Sequence, residues 1–183
     1  TDRRWDMTYL GMQVLIEGLA LAAFQRIRDT AKNNLAGAVN AYVMQDEARH
    51  VAFGRMALRE YYPHLSDAER AEREEFTVEA LYFMRDRFNQ GEVWMRSGLP
   101  VDKLMEYAYN SGAMQNFRTR LFTRIVPILK EIGLFGPKVQ KALGDMGVME
   151  YAKIDVEKLI GNDMKVAEDF DAKKFVQQAV AAE

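Results

Sequence analysis

The sequence predicts an all-α protein built as a helical bundle, and three observations carry that expectation. Ala, Leu, Met, Glu, Arg and Lys dominate the chain, proline occurs only four times, and no Asn-Gly hairpin signal separates alternating apolar runs. Apolar residues recur at intervals of three and four around Glu17 (Leu10, Val14, Leu21 and Phe24) and again along Val39, Val43, Gly54 and Leu58. Ser66-Asp67-Ala68-Glu69 has the capping-box form that opens a helix. At 183 residues the chain can bury one substantial core.

Residues 3–29 and 32–62 read as two long helices. The polar stretch Asp29-Thr30-Ala31-Lys32-Asn33-Asn34 separates them and offers an Asn or Thr as N-cap of the second. Gly11, Gly18, Gly37 and Gly54 inside these helices each cost about 1 kcal/mol relative to Ala, which close packing of neighbours would offset. Tyr61-Tyr62-Pro63-His64 ends the second helix, and His64 reads as a loop residue. A third helix runs from the capping box to about Asn89. Its charged start, residues 69–75, is expected on a solvated face, with Phe76, Leu81, Phe83, Met84 and Phe88 supplying apolar contacts. Gly91 and Gly98-Leu99-Pro100 punctuate the next connection. A fourth helix is expected over 102–121, with Pro127 kinking or restarting it. Glycines at 133, 136, 144 and 147 divide the remainder into short pieces, and the apolar pattern thins from Ile154 through Phe175. The division expected is therefore a helical domain over 1–150 and a peripheral segment over 151–183.

A formal charge of −2 gives no general reason to expect nucleic acid or an anionic membrane as partner. The absence of Cys excludes disulfides, thiolate metal sites, iron–sulfur clusters and Cys nucleophiles, and fits a reducing, cytoplasmic setting. No apolar run is expected to approach the length that spans a bilayer.

The chemistry concentrates in two places. Glu17 interrupts one apolar pattern, and Gln45-Asp46-Glu47-Ala48-Arg49-His50-Val51 interrupts the other. Glu47 and His50 are three apart, so on a helix they share a face and can share an ion. Glu17 and Glu47 are 30 residues apart with the turn midway. Counting about 13 residues outward on each side, roughly 20 Å of helix, puts them at one height on antiparallel neighbours. An unpaired carboxylate in an apolar stripe costs several kcal/mol, so something is expected to compensate it. Carboxylates with an imidazole suit iron or manganese better than structural zinc. The plainer readings are an interfacial carboxylate for Glu17, a helix-surface pair for Glu47 and His50, and a surface ion pair for Asp46 with Arg49. Trp5, Tyr42, Tyr61, Trp94, Tyr107 and Tyr109 could serve electron transfer or line a tunnel, although aromatics on helices are more often core.

Glu17 with Asp46-Glu47-Ala48-Arg49-His50 resembles the second half of a ferritin-like di-iron carboxylate protein. The resemblance extends to the ribonucleotide reductase small subunit, the oxidases similar to it and other bacterial di-iron oxygenases, and it covers roughly residues 5–60. In that family one Glu from each of two helices and Glu-x-x-His from each of the other two hold two metals. The resemblance therefore implies Glu17, Glu47 and His50 as metal ligands, with Asp46 behind them orienting a His of the opposite helix pair. It implies two Fe ions, or a Mn/Fe pair, that activate O2 to oxidise a small apolar substrate, with an external electron donor where the reaction needs one. Here the pattern is half complete, since only His50 and His64 occur and no second Glu-x-x-His is present. The missing ligands would come from upstream sequence or from a second chain in a homodimer. The N-oxygenase branch often carries an additional His one turn before the Glu; Val43 stands there, which counts against that branch. The competing function classes are a ferritin-like protein that oxidises or stores iron without an organic substrate, and a metal-free helical interaction protein.

Overall fold

The computed structural model describes residues 3–88 and 90–171. It is all-α, with no strand among the described residues. The first helix, α1, runs unbroken over Trp5–Thr30. It is α-helical over Trp5–Tyr9, π-helical over Leu10–Ile16 and α-helical again over Glu17–Thr30. Leu10, Val14, Leu15 and Leu21 carry its buried side. By length and composition α1 could cross a membrane, which corrects the expectation that no apolar stretch reaches that span. Part of its apolar surface packs against neighbouring helices, while Met12, Ile16 and Ile27 are exposed. Gly18 lets Ile125 approach so closely that an added Cβ would lie 3.3 Å from its side chain.

Helix α2 spans Asn34–Tyr61. Asn33 is its N-cap, its side chain accepting from the Ala36 N–H at 2.7 Å. The short turn makes α1 and α2 antiparallel neighbours. The buried stripe of α2 is Gly37, Ala41, Met44, Ala48, Val51, Ala52, Gly54, Arg55 and Leu58. This differs from the expected stripe, in which only Gly54 and Leu58 are buried. Apolar residues surround the whole helix, and the side lined with small alanines makes the closer packing surface. Val39 and His50 consequently stand at an open edge.

The capping box at Ser66 is formed in both directions and opens α3, Asp67–Arg87. Asn89 and residues 172–183, including Phe175, lie outside the described residues. The start of α3 is not wholly solvated: Arg73 is buried and donates from Nε to Asp6 of α1 at 3.0 Å. A charge pattern alone could not reveal that partner, which lies 67 positions away. Short helix α4 follows over Gly91–Arg96. The expected fourth helix is two, α5 over Val101–Asn110 and α6 over Gly112–Arg120, because Ser111 between them is extended. Pro127 sits in the first turn of α7, Ile125–Glu131, where its missing N–H costs no helix bond.

Helix α8, Pro137–Asp145, and α9, Val156–Asp163, close the core with Val139, Leu143, Val156 and Ile160. Arg124 and Asp163, both buried, pair through two hydrogen bonds of 3.1 and 2.9 Å. Beyond them Ala167 is buried, and Tyr42 donates to Asp171 at 2.6 Å.

Candidate metal centre

The centre lies between α1 and α2. Glu17 opens the α-helical turn that follows the π-helical one, a rare conformation found mostly as single turns near functional sites. Glu47 and His50 stand one turn apart on α2. One ligand atom from each of Glu17, Glu47 and His50 can be chosen so that all three lie within 4.8 Å of one another. His50 Nδ1 is 3.4 Å from Glu47 Oε2 and 3.9 Å from Glu17 Oε2. The same ring nitrogen therefore faces both carboxylates.

Burial is graded across the group. The Glu17 and Glu47 side chains are 21% and 27% exposed, whereas His50 is 60% exposed. Glu17 Oε2 is buried and has no hydrogen-bond partner. Desolvation is the main cause that pushes the Glu17 carboxyl above the ordinary carboxylate range; the nearby Glu47 charge adds to it, and His50 opposes it. Two carboxylates and an imidazole crowded around an unpartnered buried oxygen form a site that a cation would complete. The donor set is all oxygen and nitrogen, which fits iron or manganese.

Asp46 is placed differently. Its side chain is 70% exposed and accepts from Arg49 one turn along the same helix. His64 is exposed in the short turn Tyr62–His64, outside the cluster. Gln13, one turn before Glu17 on the apolar stripe, was not among the residues that the sequence singled out. Its signal was available, as a second polar residue four before Glu17, but amides interrupt helix stripes too often to mark a site.

The surroundings are apolar. Met12 and Ile16 of α1, with Val39, Phe53 and Met56 of α2, are exposed. A groove of about 820 Å3 begins at Ile16, the chain neighbour of Glu17; Leu19, Phe83, Met84, Phe88 and Val93 line it together with the polar Asp86, Arg87, Gln90 and Glu92.

Among the comparisons with known proteins, the family described as P-aminobenzoate N-oxygenase AurF matches residues 23–133. No curated protein and no solved structure matches the chain. The matched span is more than half the chain and contains Glu47 and His50, while Glu17 lies just ahead of it. It overturns the inference drawn from Val43: one apolar side chain before Glu47 does not exclude the N-oxygenase family.

Proposed function

The chain belongs to the p-aminobenzoate N-oxygenase AurF family, a family of ferritin-like di-iron oxygenases, and from that premise we propose that it is itself such an oxygenase. Glu17, Glu47 and His50 hold the metal, and the substrate is a small, largely apolar organic molecule. The observation that carries this reading is the convergence of these three side chains within 4.8 Å around a buried, unpartnered carboxylate oxygen.

When bound, a pair of iron ions would supply the activation of O2. The chain's own residues supply the rest. Glu17 and Glu47 give hard, anionic oxygen donors that can change binding mode as metal charge changes, and His50 gives a neutral nitrogen donor through Nδ1. The groove that starts at Ile16 is the place for the substrate, because Leu19, Phe83, Met84, Phe88 and Val93 offer an apolar molecule contact and Asp86, Arg87, Gln90 and Glu92 at its edge offer polar partners. Asp46 lies toward solvent with Arg49, and its role toward a His of the opposing helix pair rests on the family resemblance alone.

That opposing pair supplies the second Glu and the second Glu-x-x-His, either from upstream sequence or from another copy of the chain. The exposed Met12, Ile16, Val39, Phe53 and Met56 give it an apolar face to cover. The family favours this oxygenase over an iron-storing protein or a metal-free interaction module.

The test is turnover under O2 by Fe(II)-reconstituted protein, with a panel of small aromatic amines and aliphatic acids as substrates. Metal-dependent incorporation of 18O from 18O2 into an organic product supports the reading. Iron oxidation without any oxygenated product, across the panel and with an added reductant, would transfer the assignment to the iron-oxidising class.

A further inference from the structure

One turn before Glu17, Gln13 repeats its predicament. Among the described residues, Gln13 Oε1 and Glu17 Oε2 are both buried oxygens without a hydrogen-bond partner. Their spacing of four places them on one face of α1. Opposite them on α2 the spacing repeats, since Gly54 follows His50 by four. Glu17 meets His50, and Gln13 lies flat against Gly54. A Cβ at Gly54 would fall 2.5 Å from Gln13 Cβ and 3.7 Å from Gln13 Oε1. The glycine therefore gives the amide its place in the seam. An apolar side chain would fill that seam without leaving an acceptor unsatisfied, so the amide needs a reason to be there.

We infer that Gln13 is a positioning residue of the metal centre, its amide oxygen accepting one O–H of a buried water whose other O–H is donated to Glu17. A water has two O–H donors, one for each of the two buried acceptors on this face of α1. The hydrogen bond fixes the Glu17 carboxylate in the orientation that faces His50 and Glu47, much as outer partners orient metal-binding side chains generally. This inference rests on the reading of Glu17 as a ligand.

The experiment is a Co(II) titration of the chain, followed by visible d–d absorption, for the unaltered protein and four variants. Gln13→Met keeps bulk and removes the acceptor. It should weaken Co(II) binding by about tenfold or more and change the d–d envelope. Gln13→Glu keeps an oxygen at the same reach and should recover binding. Gly54→Ala should weaken binding by displacing the amide. The exchange variant Gln13→Gly with Gly54→Ala restores the helix spacing but not the amide, so its thermal stability should recover while its Co(II) affinity stays low. Unaltered affinity and spectrum in Gln13→Met, or full affinity in the exchange variant, would overturn the inference and leave the Glu17 reading intact. Co(II) binding that a Glu17→Gln control leaves unchanged would overturn both.

Discussion

Replacing Glu17 by Gln should move stability in opposite directions with and without metal. In the metal-free protein the Glu17 and Glu47 carboxylates lie within 4.8 Å, with one Glu17 oxygen buried and unpartnered. Coulomb repulsion at that separation is about 1 kcal/mol in a water-like medium and about 3 kcal/mol at an effective dielectric constant near 20. The open rim at His50 and the attraction of its imidazole favour the lower figure. Glu17→Gln should therefore stabilise the metal-free protein by about 1 kcal/mol, or roughly 2–4 °C in Tm for a chain of this size. With Fe(II) or Mn(II) at about one hundred times its Kd, the unaltered protein gains about 2.7 kcal/mol by mass action, or roughly 5–11 °C. The variant should lose most of that gain. Differential scanning calorimetry under anaerobic conditions, with and without metal, reads both effects in one sample series. A variant no more stable than the parent without metal, yet equally stabilised by metal, would refute the reasoning.

The remaining predictions concern pH, the core and a helix end. Because Glu17 holds its proton to higher pH in the folded than in the unfolded chain, its favourable contribution is complete below the ordinary Glu range and is lost as pH rises through its raised value. Denaturant midpoints of the metal-free protein should fall across that window, and Glu17→Gln should flatten this component. Asp163→Ala leaves the buried Arg124 with Gln25 and Thr123 as its remaining side-chain partners and should cost about 3 kcal/mol in urea denaturation; a loss below about 1 kcal/mol would contradict a buried pair. Ser66→Ala removes one arm of the capping box at α3 and should cost about 1 kcal/mol, visible as a Tm lower by roughly 2–4 °C.

Much of this architecture could be read from residue order because its controls are local. Asn33 and Ser66 announce their helices through side chains that reach only three residues onward. Ala31-Lys32-Asn33 forms the tight turn, so the 30-residue separation of Glu17 and Glu47 translates directly into facing positions. What the sequence concealed depends on partners far along the chain or on backbone register. Arg73 looks like part of a solvated run, yet Asp6 draws it into the core. Arg124 and Asp163 are equally silent until α7 and α9 meet. The π-helical stretch over Leu10–Ile16 contains Gly11, but a single glycine within a helical pattern does not distinguish a π-turn from an α-turn. On α2 the apolar surroundings of His50 suggested burial, but Ala41 and Ala48 define the closer seam and leave His50 at its edge.

The most direct test of the metal assignment is anomalous diffraction at the iron or manganese edge from crystals grown with saturating metal. The account predicts an anomalous peak bonded to carboxylate oxygens of Glu17 and Glu47 and to His50 Nδ1. A peak elsewhere, or no peak between these three side chains at full metal saturation, would contradict it.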